Sequence, residues 1–394
     1  MERRYDLDWL RVLAFALLIF YHTGMMYVSW DWHISSEFQS ESLKLAMLLV
    51  NPWRLPLLFF ISGCALYFAQ QRYPLSRLLN LRSQRLLIPL VFGILVIVPP
   101  QLFFEMRQAG EATGHYGQFW QAYLTPNDPL FSRHRTPLFG QMTWNHLWFI
   151  PYLWCYSVLI LGLRQLLILP SKWLGQLPLA LLLLIPGSLL ACYGFWLRPQ
   201  FPSTHALLGD WYNHATYLTV FALGYGFAAC DAVWLKLKGK HWPLLIMALS
   251  GYAILMWEDS LPENTGLGET VEYWGDIVFT WFYYCTLWCW ILALCALAMR
   301  FLNHNSRALR YANGAVYPYY ILHQTITVSI GYYLVEAQWG PIMEPLGVLA
   351  ITFLGCAVGY EIIARIHLLR WLFGLAPKVI PAPKKQTQPA IGNT

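Results

Sequence analysis

The sequence predicts an all-α integral membrane protein, a bundle of about ten transmembrane helices, on three observations. Of its 394 residues, 57% are hydrophobic and 12% are charged, whereas an average soluble domain is about 45–50% apolar and about 25% charged. Apolar stretches of roughly 18 or more residues, the length that a helix needs to cross a bilayer, recur along the whole chain. The basic residues also cluster in alternate connections between these stretches, as they do in multi-spanning proteins.

Ten apolar stretches are assigned as spans, because lipid leaves backbone polar groups no partner outside a helix or closed barrel. They lie near residues 9–29, 51–70, 86–104, 146–169, 177–197, 214–234, 242–257, 274–299, 314–335 and 344–364. The first of them resembles a secretory signal in position only. Asp6 and Asp8 occupy its charged region and no small-residue cleavage site follows, so we expect a retained span.

The charge distribution predicts the orientation. If the N-terminus is cytoplasmic, the inner segments hold 20 of the 26 Lys and Arg residues and only five of the 20 acids. The Lys and Arg bias sets the orientation of a membrane protein, so both termini are predicted to be cytoplasmic. The formal net charge of +6 is then a topological feature, and we expect membrane lipid but no nucleic acid as a partner.

One integral membrane domain is predicted over residues 1–376, followed by a disordered cytoplasmic tail over 377–394, which is rich in Pro, Lys and Gln. The longer outer loops are rich in Trp, Tyr and His and could hold a substrate; they are 30–43, 105–145, 198–213 and 258–273. The eight cysteines lie in apolar stretches without a CxxC pair, which favours a packing role. We therefore expect no metal site and no tightly bound cofactor.

Ionisable residues inside a span are costly and often functional, and the first span contains three. Arg11 and His22 share one helix face about 16 Å apart, and Asp8 lies one turn before Arg11, where it can pair with it. Histidine exchanges protons near neutrality, which makes His22 a candidate general base. The alternatives are a structural histidine bonded to a carbonyl and, for Arg11, an ordinary positive-inside anchor.

Three further arginines are candidate binding residues. Arg54 lies at the outer end of the second span, the wrong side for a topology anchor, so it needs either an outer-loop acid or a ligand as its partner. Arg82 and Arg85 share a face on the cytoplasmic side and could clamp phosphate groups through paired hydrogen bonds. Ordinary positive-inside charge is the alternative for this pair.

Two motifs place further histidines near a membrane face. His146 begins the fourth span, where an interfacial structural role is the alternative to a place on the substrate path. In the ninth span Tyr317, Tyr320 and His323 follow each other at intervals of three residues and form a polar stripe. Such a stripe in an apolar helix is expected to face the interior of the bundle.

Together these residues resemble the membrane-bound acyltransferase-3 family. The matching elements are Asp8-Trp9-Leu10-Arg11 with His22 after ten residues, Phe-Phe-x-Ser-Gly at 59–63, Arg-x-x-Arg at 82 and 85, and Tyr317-x-x-Tyr320-x-x-His323. Each motif is weak alone, but four in this order on ten spans are fairly specific.

The resemblance implies an O-acyltransferase in the bacterial inner membrane, which transfers an acyl group from cytoplasmic acyl-CoA to a carbohydrate hydroxyl on the far side. It implies His22 as the base or acyl-handling residue, Arg11 as its essential partner together with Asp8, and Arg82 and Arg85 near the CoA phosphates. Acyl-CoA is then the donor substrate and a glucan or surface glycan the acceptor. A secondary transporter and a non-catalytic membrane sensor with the same fold remain the alternatives.

The sequence departs from the common branch of the family, which has an Asp just before the Phe-Phe pair; here the neighbourhood is Arg54-Leu55-Pro56-Leu57-Leu58. The runs around Trp32-His33, Arg54 to Gly63, Arg72 to Leu75 and His146 to Phe149 are more similar to the branch that contains the periplasmic glucan succinyltransferases. That likeness alone implies a glucan as the acceptor and succinyl, as an alternative to acetyl, for the acyl group.

Overall fold

A computed structural model describes residues 3–112, 114–132, 134, 136, 140–259 and 269–376, so the predicted tail at 377–394 lies outside the described residues. The described part is all-helical and contains no strand, only one isolated bridge between Thr136 and Gly140. Its α-helices are α1 (Tyr5–Met25), α2 (Glu41–Gln70), α3 (Leu75–Phe92), α4 (Pro99–Gln108), α5 (Tyr116–Leu124), α6 (Phe149–Gly162), α7 (Arg164–Leu174), α8 (Leu179–Trp196), α9 (Trp211–Ala228), α10 (Asp231–Leu237), α11 (His241–Asp259), α12 (Glu269–Phe301), α13 (Arg307–Glu336), α14 (Gly340–Arg365) and α15 (His367–Leu372).

Six helical segments, one of which runs from α3 through α4, are long and apolar enough to cross a membrane. They are Tyr5–Met25, Glu41–Gln70, Leu75–Gln108, Leu179–Trp196, Trp274–Phe301 and Gly340–Arg365. The number rises to eight if the bent pairs α6–α7 and α9–α10 each cross once. The chain is therefore a multi-pass membrane protein with six to eight candidate spans in the part that the structure describes, and the count of ten stays a prediction.

The two remaining predicted spans, the seventh and the ninth, fall on α11 and α13, which do not meet the same apolarity criterion. For α13 the reason is visible in the sequence, because this helix begins with Arg307 and Arg310 and carries His323, Gln324 and two threonines in its middle. In the middle of the helix His323, Gln324 and Thr327 are buried. Helix α13 is thus shielded by its neighbours, as the polar stripe of the ninth span predicts.

Helices α2 and α9 pack with their backbones in close approach. A Cβ atom added to Gly63 would lie 2.0 Å from the carbonyl oxygen of Phe221, and one added to Gly224 would lie 2.0 Å from that of Phe60. The Cys64 thiol donates to the carbonyl oxygen of Gly224 at 3.1 Å. Small residues permit such contacts between membrane helices, so the Phe-Phe-x-Ser-Gly motif fixes α2 against α9.

Helix α1 ends at Met25, four residues before the predicted end of the first span at residue 29. The chain then turns back, with the amide of Ser36 bonded to the carbonyl of Met26 at 2.9 Å and that of Ser40 to the carbonyl of Tyr27 at 2.8 Å. His22 therefore lies in the last turn of α1, close to the loop 26–40, and not deep within a longer helix.

Candidate active site

The site is built on a contact between α1 and α13. His22 Nδ1 lies 3.0 Å from His323 Nε2, and the two imidazole rings are stacked with centroids 5.0 Å apart and planes 13° from parallel. His323 is 1% exposed, whereas His22 is only partly buried. The contact joins residues that are 301 positions apart in the chain.

The hydrogen bonds assign the protons of this pair. His323 Nδ1 lies 2.7 Å from the carbonyl oxygen of Tyr320, which only accepts, so this nitrogen carries a hydrogen. In the neutral ring His323 Nε2 is then an acceptor and receives the Nδ1 hydrogen of His22. His22 Nε2 is left with a free lone pair and has no hydrogen-bond partner among the described residues, which is the state that a general base requires.

His146 holds the pair in place. Its Nε2 donates to the carbonyl oxygen of Ile321 at 3.1 Å, its Nδ1 receives a hydrogen from Gln101 at 3.3 Å, and its ring centroid is 5.2 Å from that of His323. The hydroxyl of Tyr320 in turn donates to the carbonyl oxygen of His146 at 2.5 Å. Because both ring nitrogens are occupied, His146 positions α13 and has no free nitrogen for chemistry.

An amide and histidine network extends the site toward the loop 26–40. Gln324 donates to Gln101 Oε1 at 3.1 Å and to His33 Nε2 at 2.9 Å. His33 Nδ1 is in turn bonded to the carboxylate of Glu105. Gln101, Gln324 and Glu105 could not be found from the sequence, since a lone amide or outer acid has no motif of its own.

The loop 26–40 also brings an indole ring to the site. Trp32, which is partly buried, lies with its ring centroid 6.1 Å from that of His22 and 5.3 Å from that of His33. Two hydrogen bonds of 3.0 Å between the amide of Gln108 and the backbone of Ser35 tie this loop to α4. The free nitrogen of His22 is thus bordered on the loop side by an aromatic surface and polar groups.

A cavity with Tyr320 in its lining has a volume of about 700 Å³, within the range of small-molecule and cofactor sites. Five arginines line it and no acid does, among the described residues. The arginines are Arg11, Arg77, Arg82, Arg85 and Arg370. Such a surface favours an anionic ligand with several charges, since the forked guanidinium group binds phosphate oxygens in pairs.

The structure places Arg82 and Arg85 together on this cavity, as their spacing predicts. It adds Arg77, one turn earlier on α3, and Arg370 of α15. Arg370 donates to the carbonyl oxygen of Ala364 at 3.1 Å and to that of Ala376. Its place could not be inferred from the sequence, because the packing of α15 across α3 brings it there.

Arg11 and Asp8 pair as expected, with Arg11 Nη2 3.3 Å from Asp8 Oδ1. The same nitrogen donates to Asn313 Oδ1 at 2.6 Å, which ties α1 to α13. Arg11 Nε is buried without a partner, and no contact joins Arg11 to His22 in the described part of the chain. Arg11 therefore belongs to the lining of the cavity, and its role as an essential partner of His22 stays a prediction.

Tyr317 and Tyr320 connect the cavity with the histidines. Both line the cavity, and the hydroxyl of Tyr317 is buried without a hydrogen-bond partner. The carbonyl of Tyr320 holds His323, as described above, while its ring lies against Phe15 at 5.2 Å between centroids. The cavity therefore extends from the arginines to the residue that orients the histidine pair.

Arg54 lies at the other margin of the site. Its guanidinium carbon is 3.6 Å from the ring centroid of Tyr21, the residue beside His22. Its Nη1 donates to the backbone carbonyl and the side-chain oxygen of Asn51. No acid pairs with Arg54 among the described residues, so of the two partners that the sequence allows, the outer-loop acid is not found there.

Similarity over most of the chain assigns this membrane protein to a family of acyltransferases. The family model described as an acyltransferase domain, acyltransferase-3, matches residues 4–361. The chain belongs to this family, and it is a transferase that acts on groups other than amino-acyl groups.

Curated relatives match over almost the whole chain. Proteins named glucans biosynthesis protein C from Salmonella heidelberg (strain SL476) and Salmonella paratyphi A (strain ATCC 9150 / SARB42) are each 26% identical over 402 residues, which cover 99% of this chain and 98% of the relative. No solved structure matches the chain significantly.

Proposed function

We propose that this protein is an O-acyltransferase that moves a succinyl or acetyl group from cytoplasmic acyl-CoA to a hydroxyl of a glucan or other surface glycan on the outer side of the inner membrane. Both termini would then be cytoplasmic, as the distribution of Lys and Arg favours. One observation carries the proposal above all: Tyr320 lines the arginine-rich cavity, and its carbonyl oxygen bonds the histidine that pairs with His22.

The donor would bind with its phosphates at the arginine end of the cavity. Arg82, Arg85 and Arg77 have no acid partner among the described residues, so their hydrogen-bond donors are available to phosphate oxygens. The acyl arm would run past Tyr317 and Tyr320 toward the histidines. The unpartnered hydroxyl of Tyr317 is suited to bond a polar group of that arm.

The acceptor would approach from the loop 26–40. The indole of Trp32 offers a flat apolar surface to the face of a sugar ring, and His33 with Glu105 offers polar partners to its hydroxyl groups. Sites for small ligands combine aromatic walls with a few placed polar groups in this way. The name of the curated relatives, glucans biosynthesis protein C, supports a glucan as the acceptor.

His22 Nε2 would act as the general base. It takes the proton of the acceptor hydroxyl while that oxygen attacks the thioester carbonyl carbon, and the tetrahedral intermediate then breaks its C–S bond. The protonated imidazole returns the proton to the thiolate of CoA, so an ester and a free thiol leave and His22 is restored. His323 accepts the Nδ1 hydrogen of His22 throughout and stabilises the transient imidazolium, a role typical of the partner of a catalytic base.

The proposal is tested with purified protein in proteoliposomes that enclose acyl-CoA, with glucan oligosaccharides outside. We expect acylated glucan in the outer medium and an equal amount of free CoA thiol inside, as measured by mass spectrometry and a thiol assay. A protein that carries glucan or acyl-CoA across the membrane without consuming the thioester would be a transporter, and that result contradicts the proposal. Protein-free liposomes are the control for leakage and spontaneous hydrolysis.

A further inference from the structure

Arg54, near the middle of α2, is a cation without a counter-charge among the residues that the structure describes. Its Nη1 is bonded to Asn51 and its face lies on Tyr21, but Nε is buried and has no hydrogen-bond partner. Neither Tyr21 nor Asn51 carries a negative charge at neutral pH, and no acid among the described residues pairs with the guanidinium.

Asp210 and His205, in the outer loop 198–213, do not neutralise it either. The carboxylate of Asp210 is already bonded by the Tyr152 hydroxyl and by the backbone amides of Thr204 and His205. Burial lowers the pKa of His205 to about 4, although Asp210 acts in the opposite direction. His205 is therefore neutral at physiological pH and neither adds to nor offsets the charge of Arg54.

A buried charge without a partner is unfavourable, and an aromatic face compensates for only part of the lost hydration. A planar guanidinium with a free edge is suited to a carboxylate or phosphate, which it binds with two parallel hydrogen bonds. The guanidinium of Arg54 lies on the ring of Tyr21, and the centroid of that ring is 6.2 Å from that of His22. A ligand at Arg54 would therefore be next to the reacting group.

We infer that Arg54 is the binding site for an anionic group, a carboxylate or phosphate, that one of the two substrates carries next to the acyl group in transfer. The inference rests on the proposed function, because a substrate lies beside Arg54 only if acyl transfer takes place at His22. Two sources supply the same chemistry. One is the free carboxylate of a dicarboxylic acyl group, and the other is an acidic substituent on the acceptor glycan.

The test compares each anionic substrate with an uncharged counterpart. Wild-type protein in proteoliposomes is assayed with succinyl-CoA against succinamoyl-CoA, and with a phosphorylated glucan oligosaccharide against the unmodified one. We expect wild-type protein to prefer the anionic member of one pair by at least tenfold in kcat/KM. The pair that shows the preference identifies the source of the anion.

The variant Arg54→Gln is expected to lose that preference while its kcat/KM for the neutral substrate changes by less than threefold. Arg107→Gln is the matched control, since Arg107 is also an outer arginine beside aromatic rings but is exposed, and this variant is expected to retain the preference. Arg54→Lys, which keeps the charge and loses the fork, is expected to show an intermediate value.

Wild-type protein that discriminates in neither pair overturns the inference, and that measurement needs no variant to fold. Equal discrimination by wild-type protein and Arg54→Gln also overturns it. Failure of this inference and failure of the proposed function are distinguishable. Transfer without discrimination contradicts only the role of Arg54, whereas no transfer from any donor contradicts the proposed function and this inference with it.

Discussion

His22 Nδ1 donates a hydrogen bond to His323 Nε2 over 3.0 Å, and the carbonyl of Tyr320 fixes the hydrogen on the far side of His323. The direction of these two bonds exposes the lone pair of His22 Nε2. A single imidazole without these two bonds would have no fixed tautomer. The contact between α1 and α13 therefore gives the two histidine motifs a joint role.

His323→Leu removes the acceptor for His22 Nδ1, and we expect kcat to fall about 10²-fold, the size of effect that misplacement of a reacting group produces. His323→Gln can present an oxygen to the same hydrogen and should recover part of the loss. A merely structural role of His323 would not distinguish these variants by kcat at equal yield of folded protein. Size-exclusion profiles in detergent control for folding.

Arg82→Gln together with Arg85→Gln removes two of the five cationic groups of the cavity. We expect KM for acyl-CoA to rise about 10-fold or more, since hydrogen bonds to charged groups contribute roughly 1.5–3 kcal/mol each, and KM for the acceptor to stay unchanged. Arg72→Gln is the matched control, because Arg72 lies just before α3 and does not line the cavity. An unchanged dependence of the rate on acyl-CoA concentration would contradict the phosphate role.

Trp32→Ala removes the aromatic surface beside His22. We expect KM for the acceptor to rise several-fold with little change in KM for acyl-CoA. For Trp32→Phe we expect a KM for the acceptor between those of wild-type protein and Trp32→Ala. Trp339→Ala, at an exposed indole before α14, is the control. If Trp32→Ala raises KM for the donor instead, then the acceptor does not approach from this loop.

Gly63→Ala places a methyl group 2.0 Å from the carbonyl oxygen of Phe221, so α2 and α9 must separate. Overpacking of this kind costs about 1–3 kcal/mol, and we expect a lower midpoint of thermal unfolding in detergent. Gly275→Ala has no atom within 4 Å of the added carbon, and it should leave the midpoint unchanged or raise it slightly. Equal midpoints for Gly63→Ala and wild-type protein would show that this contact is not tight.

Local periodicity predicted the parts of the site that depend on one helix. Asp8 and Arg11 pair at an interval of three, Arg82 and Arg85 share the cavity, and the stripe that ends in His323 faces the interior. Hydropathy likewise predicted the multi-pass, all-helical fold. These features follow from helix geometry, which a single stretch of sequence determines.

Contacts between distant helices could not be predicted in the same way. The His22–His323 bond, the bond from Arg11 to Asn313, and the place of Arg370 on the cavity all depend on how the helices pack. Hydropathy also set the end of the first span at residue 29, because the apolar residues continue after the helix stops at Met25. The loop after α1 is buried against its neighbours at Met26, Tyr27 and Val28, which explains the mismatch.

The role of His22 as the general base is tested most directly by acyl transfer with His22→Ala in the proteoliposome assay, with His22→Gln in parallel. Loss of the general base should lower the rate by about 10²–10⁴-fold. The variant should still bind labelled acyl-CoA with wild-type affinity, as measured by competition with unlabelled acyl-CoA. Folded His22→Ala protein that forms acylated glucan at the wild-type rate would contradict the assignment of His22 as the base.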